Sequence, residues 1–158
     1  MKFSKELTIN NQTIANNNPT YIIAEAGVNH GGDLTLAKEM IDCAVNAGAD
    51  AVKFQSFRAD HLILNSIGKA PYQQKTTSKK ESQYEMLKRL EMSLEMAENL
   101  IEYCDTKGIT FLTTPFDEYS LHLLDDCNLH GYKIASTDLT NIPFLVKVAK
   151  KNKPIILS

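Results

Sequence analysis

The sequence predicts an α/β protein built on a parallel sheet, and three observations carry that expectation. Short apolar runs alternate regularly with amphipathic stretches of helical period. The connections are short, with Asp, Ser or Asn where helices would start and Gly where two of them would end. Ionisable residues lie inside the strand-like runs, at Glu25, Lys53 and Lys133. Regular alternation of this kind implies parallel strands joined by covering helices.

The first twenty residues read as a hairpin extension, with KELTI and TIAN segments around an Asn10-Asn11 turn. Residues 21–27 (YIIAEAG), 51–57 (AVKFQSF), 109–116, 131–137 and 154–158 read as strands. Asp33 is an N-cap candidate for a helix burying Leu36, Met40, Cys43, Ala44 and Ala47, closed by Gly48. Ser93 caps a second helix, with Leu94, Ala97, Leu100, Ile101 and Cys104 inward and Gly108 at its end. Asp117 opens a third, with Leu121 and Leu124 inward. Asn141 opens a fourth, with Pro143 in its first turn and Leu145, Val146 and Ala149 buried. Residues 58–92 interrupt the alternation with a polar insertion whose back half, ESQYEMLKRLEM, reads as an extra helix. The Met and aromatic positions in 84–96 read as packing.

A doubly wound sheet would show GxGxxG after its first strand, and AGVNHGGD does not. A (β/α)8 barrel fits better, although a whole one takes about 250 residues. The 158 residues supply about five strands, the last of them, KPIILS, ending without a helix. The expectation is the N-terminal portion of a TIM barrel over residues 21–158, with its second half absent.

Charge is nearly balanced, 17 basic against 19 acidic residues, which argues against a nucleic-acid or membrane-surface role. The densest basic stretch, Lys75, Lys79 and Lys80, runs straight into Glu81 and Glu85 and reads as a solvated loop. MKFSKELTINNQT has no apolar signal core, and no apolar run reaches the ~20 residues of a membrane helix. Cys43, Cys104 and Cys127 fall in apolar periodic stretches, as reduced, buried thiols of a cytoplasmic protein would. His61, His122 and His130 show no metal-ligand spacing and read as surface residues.

Glutamate is a poor strand residue, so Glu25 either caps something locally or sits where a strand opens into a site. Alternation by two puts Lys53 on one face with Gln55, and Lys133 on one face with Ala135 and Thr137. If both lysines and Glu25 point into a barrel, their sum of +1 suits an anion. Thr113, Thr114, Ser136 and Thr137 add hydroxyls at strand ends, as a phosphate or carboxylate site needs. The plainer alternative is that the lysines extend from sheet edges into solvent. Asn29 and His30 lie in the loop just past Glu25 and can reach the same ligand; a plain turn role fits His30 equally.

IAEAGVNHGGDLTLAKEMIDCAVNAGADAVKFQSF, FLTTPFD, YKIAS and KPIILS together resemble the N-terminal part of the sialic acid synthases, a family spanning N-acetylneuraminate, legionaminate and pseudaminate synthases. The resemblance covers residues 20–158. KFQSF, KAPYQQKTT (69–77) and ESQYEMLKRLE are most similar to the legionaminate type. It implies an enzyme, a transferase of carbohydrate biosynthesis, that condenses phosphoenolpyruvate with an N-acylated amino sugar aldehyde. The product is a nine-carbon 2-keto acid, with phosphate released. By motif, Lys53, Thr114, Lys133 and Ser136 would hold the phosphate and carboxylate of phosphoenolpyruvate. Glu25 would be catalytic, and Asn29 and Gln55 are candidate substrate contacts. A divalent ion, Mn2+ or Mg2+, is implied, with its ligands beyond residue 158 and none in this chain.

After Lys133 the sequence reads ASTDLTN where many members have SGE. Ser136 is kept, while Thr137 and Asp138 replace the glycine and glutamate. With the second half of the barrel and the family's antifreeze-like domain absent, residues 1–158 alone are expected to be inactive. Two other readings stay open: a Schiff-base aldolase using Lys133 or Lys53, and a non-enzymatic half barrel from a truncated or split gene. A homodimer or a complementing half-barrel chain would be its partner.

Overall fold

The computed structural model describes residues 4–64 and 81–158. The basic stretch at Lys75, Lys79 and Lys80 and the KAPYQQKTT motif lie outside the described residues.

Two Asn residues with positive φ, Asn10 (44°) and Asn11 (65°), turn β1 (Glu6–Ile9) back onto β2 (Gln12–Ala15) as an antiparallel hairpin. Asparagine tolerates this backbone region because its short polar side chain offsets part of the steric cost. A second sheet of parallel strands follows: β3 (Ile23–Gly27), β4 (Ala51–Ser56), β5 (Thr110–Pro115), β6 (Tyr132–Ile134) and β7 (Ile155–Leu157). Their order across the sheet is their order in the chain.

The helices are α1 (Leu34–Asn46), α2 (Ala59–Leu62), α3 (Gln83–Arg89), α4 (Leu94–Lys107), α5 (Glu118–Leu123) and α6 (Ile142–Ala149). The predicted caps are made. Asp33 accepts from the Thr35 and Leu36 amides, Ser93 from Met96, Asp117 from Ser120 and Asn141 from Phe144. Gly108 closes α4 at φ 68°. The insertion helix α3 starts with a reciprocal capping box between Ser82 and Glu85.

One core contains residues of α1, α4, α5 and α6 against Val52, Phe54, Phe111, Tyr132 and Ile134 of the sheet. All four helices therefore lie on one face. A doubly wound sheet carries helices on both faces and reverses its strand order; sequential order with one-sided helices is a barrel arc. The opposite face holds a smaller cluster of Ile9, Ala51 and Leu112, with Ile14, Ile23 and Ile156 packed on it. The hairpin thus closes this inner face near the start of the strands.

Three expected burial patterns are corrected. In α1 the fully inward residues are Ala37, Ile41 and, as expected, Ala44, while Leu36, Cys43 and Ala47 are exposed. In α6 Phe144 and Val148 are buried, and Val146 and Ala149 face outward. The sequence of α6 is apolar almost all round, so periodicity could not choose its inner face. Of the three free thiols only Cys104 is fully buried. Burial pushes its pKa up to about 12, which leaves it inert at neutral pH.

Candidate functional site

Register places the candidate residues. Glu25 pairs with Lys53 across β3 and β4, Lys53 with Leu112, and Gln55 with Thr114. Parallel partners in register share a face, so Glu25, Lys53, Gln55 and Thr114 lie with Leu112 on the inner face, away from the helices. Thr113 pairs with Tyr132, which puts Lys133 on the inner face beside Thr114. Tyr132 and Ile134 are buried in the helix-side core.

Glu25 and Lys53 form a direct ion pair. The lysine side chain is 12% exposed and the carboxylate 51%, so the pair sits at a boundary with one end in water. A bulge between Glu25 and Gly27 interrupts the register there, and Gly27 has φ 58°. A Cβ on Gly27 would lie 3.3 Å from Glu25 Oε1 and 3.6 Å from Gln55 Nε2. Carboxylate and amide therefore gather over bare backbone, which is why a glycine follows so closely on the glutamate.

Lys133 has no carboxylate partner among the described residues. Its Nζ donates to the Ile134 carbonyl at 2.7 Å and meets Ser158 Oγ at 2.6 Å. Burial holds its pKa below the usual lysine value; the Lys53 charge adds to that and Glu25 opposes it. Two lysines thus face one space with a single carboxylate between them.

The other candidates divide. Ser136 and Thr137 are exposed in a 3-10 turn, Ser136–Asp138, at the end of β6. Asn29 is exposed in the turn above β3, its amide bonded to the Ala26 carbonyl. One expectation, for Thr113, is corrected, and the open choice for His30 is decided. Thr113 points to the helix side, where its Oγ1 lies 2.8 Å from Ser56 Oγ, because it is one residue out of phase with Thr114. His30 is fully buried, packed edge-on against Phe54 at 5.9 Å between ring centroids, on the helix side of the sheet. It fills the turn role, its Nδ1 accepting the Gly32 amide at 3.1 Å.

That arrangement has a pH consequence. Burial lowers the His30 pKa below its ordinary 6.5, favouring the neutral ring in the folded state. The associated stability is fully present above pH 6.5 and is lost as pH falls through the lowered folded value. The urea midpoint should fall between about pH 7.5 and about 5.5, and His30→Gln should flatten that dependence. An unchanged slope in the variant would assign the acid sensitivity elsewhere.

Sequence reasoning missed a clamp behind the site. Glu91, at the end of the insertion, accepts from Arg58 Nη1 at 2.9 Å and the Ala59 amide at 2.7 Å. Asp117, after β5, accepts the Arg58 amide at 2.8 Å while capping α5. Two largely buried carboxylates so hold consecutive residues at the exit of β4, just past Lys53 and Gln55. The signal available was Asp117, recognised only as a cap. His61 lies at 3.5 Å from Asp117 and is half exposed.

No group of three His, Cys, Asp or Glu side chains able to hold a metal ion occurs among the described residues. Glu25 is the one strand carboxylate at the site, and it is bound to Lys53. These donors do not fit a divalent ion by themselves.

Comparison with known proteins agrees with this architecture. Over 139 residues the chain is 52% identical to the N,N'-diacetyllegionaminic acid synthase of Campylobacter jejuni, covering 88% of this chain and 42% of that protein. The synthase of the same name from Legionella pneumophila is 48% identical over 138 residues, covering 87% and 39% respectively. The chain thus spans about two fifths of the length of these relatives. A crystal structure of the N-acetylneuraminic acid synthetase of Leptospira borgpetersenii superposes with a TM-score of 0.80 at 38% identity, over 98% of this chain and 49% of that one. A truncated deoxyheptulosonate phosphate synthase from Thermotoga maritima, at 14% identity and a TM-score of 0.63, shares the fold. The NeuB family model matches residues 40–158. The chain belongs to the NeuB family.

Proposed function

We propose that this chain forms the phosphoenolpyruvate-binding arc of a synthase that condenses phosphoenolpyruvate with an N-acylated amino sugar aldehyde. The observation that carries the reading is the inner-face trio: Lys53 and Lys133 with Glu25 neutralising only one of them. An anionic ligand there meets fixed cations on rigid strands, where they act most strongly once water is excluded. Lys53, Thr114, Lys133 and Ser136 hold the phosphate and carboxylate. Asn29 and Gln55 contact the sugar.

In the reaction the enol carbon of phosphoenolpyruvate attacks the aldehyde carbon, forming the new C–C bond. Water adds to the resulting cationic carbon, and the tetrahedral intermediate expels phosphate to leave a 2-keto acid. Glu25 orients or deprotonates that water, its carboxylate positioned by the ion pair with Lys53. The divalent ion of the resemblance would need ligands from outside the described residues, and no step here is assigned to it. Similarity to the legionaminic acid synthases makes a diacetylated amino sugar the first acceptor to test.

The sheet also presents two open edges. Beside β3 a groove of about 310 Å³ is lined by Ala24, Met40, Cys43 and Ala47 among others. Beside β7, Ile142, Val146 and Leu157 are exposed. We propose that further strands and helices cover both, from the same polypeptide, a complementing chain or a second copy. Among the described residues no helix is long and apolar enough to cross a membrane. A cytoplasmic setting is proposed from the absence of disulfides among the three cysteines.

Equilibrium dialysis of the chain against phosphoenolpyruvate tests the anion site, and a phosphate-release assay with mono- and diacetylated amino sugars tests turnover. Binding without turnover is expected. Phosphate release by this chain alone would overturn the need for a completed barrel, and absence of binding would overturn the site.

A further inference from the structure

We infer that Glu91 is a positioning residue for the amino sugar acceptor. It touches no ligand, and it holds in place the two chain segments that carry Asn29 and Gln55. This deepens the condensation reading and rests on its assignment of those two side chains to the acceptor.

The short segment from Arg89 to Met92 ends the insertion and meets both of those chain segments. On one side lies the turn above β3. Gly32 has φ 86°, and a Cβ there would lie 2.7 Å from the Arg89 carbonyl oxygen, so backbone packs directly on backbone. The turn is tied by its own hydrogen bonds: the Asn29 amide donates to the Ala26 carbonyl, Gly31 to Val28 and Asp33 to His30. A displacement at Gly32 is therefore passed along to Asn29. On the other side Glu91 accepts from Arg58 Nη1 and the Ala59 amide, and Lys88 Nζ reaches the same carboxylate at 3.2 Å. Arg58 opens α2 with no side-chain cap of its own, and Glu91 supplies one from far along the chain. Met92 is buried in the core and anchors the segment between the two contacts.

Gln55 depends on this brace more than Lys53 does. Lys53 is paired on both sides, with Glu25 and with Leu112, whereas β3 pairs with β4 only as far as Phe54. Gln55 is thus held by Thr114 on β5 and by whatever fixes the chain just past it. Lys133 lies two strands away on β6. The acceptor contacts should therefore answer to Glu91, and the two cations should not. Asp117 also grips the Arg58 amide, but it caps α5 as well, so its loss would disturb more than the site. Glu91 is 9% exposed and lies past the end of α3, so its carboxylate serves this junction and no helix of its own segment.

The side-chain amide resonances of Asn29 and Gln55 can be followed in nitrogen–proton correlation spectra of the chain, assigned with Asn29→Asp and Gln55→Glu. Glu91→Gln keeps the shape and loses the charge. It should shift both side-chain amides while the backbone amides of α4 stay in place. Gly32→Ala, acting from the other side of the brace, should shift Gln55. In Glu91→Gln a diacetylated amino sugar should bind about fivefold more weakly, the equivalent of one hydrogen bond, with phosphoenolpyruvate affinity held within about twofold. A role as the α2 cap and nothing more would move residues 58–62 and leave Asn29 where it was. That result, or an equal loss of both ligands, would overturn the positioning role. If the sugar shifts neither amide in the unmodified chain, the acceptor assignment falls and this inference with it. Loss of phosphoenolpyruvate binding in the unmodified chain would count against the anion site instead.

Discussion

Phe54→Ala is expected to destabilise the chain by about 3–5 kcal/mol, a large part of the roughly 5–15 kcal/mol of a typical domain. Phe54 has no exposed surface, stacks on Phe111 at 5.5 Å between centroids and meets His30 edge-on. Its removal would leave a cavity under the centre of β4, between strand neighbours on both sides and the helix layer. The effect should reach the site as well, since Lys53 and Gln55 flank Phe54 on the opposite face of the same strand. Urea unfolding monitored by circular dichroism measures it. A cost below about 1 kcal/mol would mean that the core collapses around the gap.

Replacing either lysine of the inner face with methionine should weaken phosphoenolpyruvate binding by about 10- to 100-fold, the equivalent of one charge-assisted hydrogen bond of roughly 1.5–3 kcal/mol. The double variant should show no measurable binding. Methionine keeps most of the apolar stem and removes the charge. Stability should change little in Lys53→Met, because the Glu25 carboxylate is 51% exposed and water can take over its solvation. The single variants also discriminate between roles. Lys133→Met removes a cation with no carboxylate to release. Lys53→Met frees Glu25 as an extra negative charge, so its affinity loss should be the greater of the two. A change under twofold in both would remove the anion site from consideration.

The architecture was legible because it rests on local rules. Strand runs, helical periods and capping residues each act over a few positions, so Asp33, Ser93, Asp117 and Asn141 stop and start helices wherever the chain goes. The inner-face grouping of Glu25, Lys53, Gln55 and Lys133 was legible for a related reason. A period of two along each strand needs only the register between strands to become a shared face. The inward faces of α1 and α6 were less legible. Ala44 was placed inward correctly, but the stripe drawn through Leu36 and Cys43 passed over Ala37 and Ile41, one helical step away, which are the residues that pack on the sheet.

By itself the sequence determined the alternation of strands and helices, the resemblance to a synthase family, and that two lysines and one glutamate lie within strands. Only the tertiary structure decided which lysine Glu25 neutralises, that His30 and Thr113 turn to the helix side, and that Glu91 and Asp117 grip the exit of β4. Pairing depends on strand register, on the bulge before Gly27 and on segments far apart in the chain meeting in space. Those distances are set by packing of the whole sheet against its helices, and no local pattern encodes them.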